Sequence, residues 1–77
     1  MSTEKNSIKI QINKNHYDTS SETMTGAQLK TLGGIPAGNK LFKEEHGKDP
    51  DRLINDGDSV PVHNGDKFYD LPPGVVG

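Results

Sequence analysis

Seventy-seven residues limit the chain to one small domain. Only 16 of them are Ile, Leu, Val or Phe, just above the level at which burial fails to offset ordering entropy. The lack of Cys excludes disulfides, thiolate metal sites and a Cys nucleophile. No apolar run approaches the ~18 residues of a membrane span, and nine basic against eleven acidic residues (net −2) argue against nucleic acid as the main partner.

A soluble cytoplasmic monomer is therefore expected, with no membrane contact. Its core is too small to enclose a deep active site, so function should lie on a surface or a terminus. Composition divides the chain into a polar arm at 1–7, a body at 8–71 and a Pro- and Gly-rich tail at 72–77.

The body opens on Ile8-Lys9-Ile10-Gln11-Ile12, whose strict alternation predicts a half-buried strand with the three Ile side chains inward. Asn13-Lys14-Asn15 offers a turn, because Asn tolerates left-handed backbone, and His16 to Thr19 returns antiparallel. Next, Thr25-Gly26-Ala27-Gln28 fits a capping box, and Met24 before the cap can staple onto Leu29. Leu29 and Leu32 share a face, Gly33-Gly34 supplies a left-handed stop, and Pro36 bars a restart. One helix of about two turns is predicted over 26–32.

Leu41 to Glu44 reads as a strand and His46 to Arg52 as a surface loop. Leu53-Ile54 is expected to return to the core, and Asp56-Gly57 to turn. Val60-Pro61-Val62 should pair with Lys67-Phe68-Tyr69 through the hairpin dipeptide Asn64-Gly65. Pro61 lacks an amide donor, so its strand must be an edge or bulged there. Neither a lone hairpin nor a two-turn helix is stable in water. Both become so if Leu29 and Leu32 lie across a sheet face of Ile8, Ile10, Ile12 and Phe68. The predicted fold is α+β, a mixed sheet of four to five strands packed on one short helix.

Few residues invite a chemical role. His16, His46 and His63 sit in or beside turns without a helical partner, which reads as solvent exposure rather than a metal site. Asn55-Asp56-Gly57-Asp58 lacks the spacing of a calcium loop, Gly33-Gly34 ends a helix where phosphate loops begin one, and Ser20-Ser21 has no base nearby. No metal or cofactor is expected, and no nucleophile–base pair supports an enzyme. If Leu41 and Phe68 are inward, Phe42 and Tyr69 face out on neighbouring strands, with Lys9, Gln11 and Lys67 as a rim. A register slip of one residue would bury the two rings instead.

The succession IKIQIN, MTGAQLKTLGGIP, LFKEE and INDGDSVPVHNGDKFYDLPPG resembles the bacterial multiubiquitin-domain family of the ubiquitin-like, β-grasp superfamily, over about Ile8 to Gly74. The resemblance implies a protein modifier of a bacterial ubiquitination-like pathway, with some related systems linked to antiviral defence. The implied partners are an activating enzyme that uses ATP to adenylate a C-terminal Gly, a conjugating enzyme, a JAB-type metallopeptidase and a modified target amine. The implied reactive end is Gly77, with Gly74 as runner-up if three residues are removed. Such domains commonly bind partners through the open sheet face, here Phe42, Tyr69, Lys9, Gln11 and Lys67.

The tail suits that role. Gly77 has no Cβ to obstruct an adenylation site, and Pro72 and Pro73 stiffen its base. Fully extended, residues 72–77 would span about 18–20 Å. One departure stands out: ubiquitin and the sulfur carriers end in Gly-Gly, whereas this chain reads Val75-Val76-Gly77. The two Val side chains are expected to be gripped by an enzyme that accepts them. A sulfur carrier with a C-terminal thiocarboxylate and a non-conjugated interaction domain are the rival readings. Eight lysines could each accept a tail, and the sequence does not rank them.

Overall fold

The computed structural model describes residues 7–74. The elements run β1 (Ile8–Ile12), β2 (Asn15–Thr19), β3 (Thr23–Thr25), α1 (Gly26–Gly33), β4 (Lys40–Lys43), β5 (Arg52–Ile54), β6 (Ser59–Pro61) and β7 (Lys67–Leu71). Five strands form one mixed sheet in the order β2-β1-β7-β4-β5, while β3 and β6 pair as a separate ribbon. The last strand, β7, is central: it runs parallel to β1 and antiparallel to β4. This is the β-grasp arrangement of a sheet around one helix.

The alternation read in β1 holds. Ile10 and Ile12 are buried, Ile8 packs at the core's edge, and Lys9 and Gln11 turn away. Leu29, Leu41, Ile54, Val60, Val62 and Phe68 complete the centre of one cluster, with Met24 and Ile35 against it and Leu32 half-buried at its border. The capping box is formed as expected: the Gln28 amide donates to Thr25 Oγ1 at 3.1 Å, and the Thr25 amide to Gln28 Oε1 at 2.9 Å. Gly34 closes the helix at φ 70°, a backbone that costs Gly little.

Two expectations are corrected, and one strand is added to those expected. Asn64-Gly65 does not join paired strands, because β6 pairs with β3 and not with β7. The dipeptide docks on β1 instead: the Lys9 amide donates to Asn64 Oδ1, and the Gly65 amide to the Lys9 carbonyl, both at 2.8 Å. Pro61, unable to donate, sits opposite Thr23 in a ribbon where both strands are edges. The added strand is Thr23-Met24-Thr25, with Met24 inward. Second, Leu53 does not return to the core. Ile54 does, at 1% exposure, so alternation turns Leu53 outward at 44%.

Candidate functional site

The outer sheet face follows from this register. Phe42 is the partner of Leu53 on one side and of Tyr69 on the other, so the three side chains form a row across β5, β4 and β7 on the face away from α1. The Phe42 and Tyr69 rings stack, 5.4 Å between centroids and 13° between planes. The slip that would have buried them does not occur, because Leu41 and Phe68 fill the inward positions.

Tyr69 is also tied down. Its hydroxyl donates to Asp51 Oδ2 at 2.5 Å, while Asp51 Oδ1 accepts the Glu45 amide at 3.1 Å. The loop between β4 and β5 is thereby fastened to the face. The hydrogen bond favours phenol over phenolate and carboxylate over carboxyl. Its partner Asp51, and then partial burial, push Tyr69 up to about 12. The Tyr69 hydroxyl, followed by the Glu45 amide, holds Asp51 below the usual carboxylate range.

Of the expected rim, Gln11 and Lys67 are register partners on β1 and β7. They line a shallow groove of about 370 Å³ beside Tyr69, shared with Asn13, Lys14 and Glu44. Lys9 lies on the same face but further from the rings, beside the Asn64-Gly65 turn, with its ammonium 3.5 Å from Asp18. A larger open groove, about 910 Å³, lies between the start of β1 and the β3–β6 ribbon. Among the described residues it shares none with the aromatic row or the tail.

Two features escaped the sequence reading. Leu53 extends the aromatic pair into a row, and the Leu-Ile order within β5 was the available signal. At the sheet end where the chain leaves β7, Asp70 accepts from Asn13 Nδ2 at 2.5 Å and from Asn39 Nδ2 at 2.6 Å. Its own amide donates back to Asn13 Oδ1 at 3.2 Å. Nothing in local spacing joins residues 57 and 31 positions apart.

Pairing of β7 ends at Leu71, opposite Lys40. Pro72 and Pro73 follow, and the described tail then turns at Pro73-Gly74, with φ 89° at Gly74, rather than running on extended. Val75, Val76 and Gly77 lie outside the described residues, as does all of the 1–7 arm except Ser7. Among the described residues Lys30 and Lys43 are the sequestered lysines. The Lys30 ammonium pairs with Asp56 at 2.8 Å, and that of Lys43 lies 3.8 Å from Asp66. Asn55 to Asp58 forms a turn against the helix start, receiving the Gly26 and Ala27 amides. No helix among the described residues is long and apolar enough to cross a membrane.

The family model described as Multiubiquitin matches residues 8–69. No curated protein and no solved structure matches the chain.

Proposed function

The chain belongs to the multiubiquitin family, and from that premise we propose that it is a protein modifier of a bacterial ubiquitination-like pathway. Its tail carboxyl group, at Gly77 or after trimming at Gly74, is activated by an adenylating enzyme at the expense of ATP. A conjugating enzyme then carries it to a target amine, and a JAB-type metallopeptidase reverses the bond. Pro72, Pro73, Val75 and Val76 are the residues the activating enzyme grips. The domain is the substrate of this chemistry and supplies no catalytic group.

The observation that carries this reading is the family match over a β-grasp body whose last strand is central to the sheet. β7 is central and stays paired with β4 as far as Leu71, which roots the tail, and two prolines keep it from rejoining the ladder. The test combines the full chain with ATP, the activating enzyme and the conjugating enzyme. Heavier adducts that vanish when ATP is withheld or Gly77 is deleted support the assignment. Adducts that survive the deletion move the reactive end elsewhere, and no adduct with any component sinks the reading.

A second reading, a cytoplasmic interaction domain that is never conjugated, is favoured by the row of Leu53, Phe42 and Tyr69 on the open face. It predicts that Phe42→Ala abolishes the role in cells while deletion of Gly77 leaves it intact.

A further inference from the structure

The polar node at the root of the tail has a geometry that the core does not require. Asp70, the penultimate residue of β7, uses both carboxylate oxygens: Oδ1 for Asn13 and Oδ2 for Asn39. Asn13 answers by accepting the Asp70 amide, so the two side chains form a reciprocal pair. Each asparagine is anchored in turn. The Asn13 amide donates to the Phe68 carbonyl at 3.0 Å, and the Asn39 amide to the Pro36 carbonyl at 3.0 Å. Three segments remote in sequence thus converge on one carboxylate: the β1–β2 turn, the α1–β4 turn and the end of β7. None of the three residues belongs to the hydrophobic cluster.

Between Asp70 and Gly74 the backbone has little freedom to lose direction. Leu71 is the last paired residue. Pro72 and Pro73 each have φ fixed by the ring, and they carry the orientation of β7 to Gly74, whose φ of 89° redirects the backbone. Without the node, the strand end would be held by one edge of backbone pairing alone, and strand ends of that kind fray.

We propose that Asp70, held by Asn13 and Asn39, is a positioning residue that fixes the direction in which the tail leaves the domain, so that the tail meets the activating enzyme already oriented. This rests on the modifier reading above. An oriented tail loses less conformational entropy on entering an enzyme channel, so the gain appears in binding and not in the chemical step.

The test uses the full chain and three variants: Asp70→Ala, Asn39→Ala and Asn13→Gly, the last keeping a residue suited to the left-handed backbone at 13. Nuclear relaxation and residual dipolar couplings report the order and direction of the Gly74 amide, while the amides of β1 and β7 report folding. In the parent chain Gly74 is as ordered as the sheet; in every folded variant it loosens. ATP–pyrophosphate exchange with the activating enzyme then shows KM raised roughly five- to thirtyfold, the cost of re-fixing about one residue, with kcat unchanged. Asp70→Asn, which keeps one acceptor oxygen, falls between. An unchanged Gly74 in the folded variants overturns the proposal, as does a loosened Gly74 with unchanged KM. If the parent chain supports no exchange, the modifier reading fails first and the role in activation with it.

Discussion

Phe42 and Tyr69 are register partners on antiparallel neighbours, and their rings lie 5.4 Å apart and within 13° of parallel. Aromatic pairs at this separation add about 0.5–1.5 kcal/mol beyond the area they bury. A double-mutant cycle with Phe42→Leu and Tyr69→Leu should therefore give a coupling free energy of about 1 kcal/mol in urea unfolding. Additive single changes would mean that the rings share a face without supporting each other.

The Tyr69–Asp51 bond gives the face a defined pH range. The phenol proton is held in the folded chain up to about 12, against 10.0 when unfolded. The folded pKa is raised, so the bond's contribution is whole below pH 10 and is lost as pH rises through 10 towards 12. Asp51 is lowered, so its contribution is present above 3.8 and lost as pH falls through the depressed value. Tyr17→Phe leaves Tyr69 as the one tyrosine of two. Its absorbance titration should centre on about 12, and adding Asp51→Asn should bring it most of the way back to 10.0. A midpoint that ignores Asp51→Asn would mean that the hydroxyl is not bonded there in solution.

What could be read in the sequence was what is local. The Ile8–Ile12 alternation, the Thr25–Gln28 box and the Gly34 stop each act within one to four residues, and each formed where expected. The outward pairing of Phe42 with Tyr69 was also legible, because fixing Leu41 and Phe68 inward fixes their neighbours. What failed was partner choice. Asn64-Gly65 has the composition of a hairpin, yet the Asn64 side chain and the Gly65 amide are both taken by the Lys9 backbone, 55 positions from Asn64. Leu53 was misread because two adjacent apolar residues cannot both face inward from an edge strand. The Asp70 node could not be found at all, since it joins two turns and a strand end that only the finished sheet brings together.

The helix start depends on a close approach at Gly26. A Cβ there would collide with the Asn55 carbonyl and press on Ile54, and the Gly26 amide already donates to the Asp58 carbonyl at 3.0 Å. At an open helix start Gly→Ala is neutral or favourable. Here Gly26→Ala should cost about 1–3 kcal/mol, the usual penalty of forcing atoms into a packed site. Gly34→Ala makes the control: it meets nothing within 4 Å, and only its φ of 70° opposes it, at about 1 kcal/mol. Urea midpoints in the reverse order would show that the Asn55 turn yields.

The β1–β2 turn holds two non-glycine residues at positive φ, Asn13 at 52° and Lys14 at 73°. With Ile12 and Asn15 paired on either side, this is the two-residue turn whose twist matches the strands, and Gly is favoured at its second position. Asn tolerates that backbone; Lys does so at a cost of roughly 1–2 kcal/mol. Lys14→Gly removes the strain but adds freedom to the unfolded chain worth about 0.5–1 kcal/mol. The net gain should be about 0.5–1 kcal/mol, a rise in Tm of about 3–6 °C for a domain of this size. Lys14→Ala separates the two effects, since Ala keeps the strain and removes only the long side chain. It should leave Tm unchanged within about 1 °C. Should Lys14→Gly lower Tm while Lys14→Ala also does, the lysine stem is packing on the sheet and its backbone is not the cost.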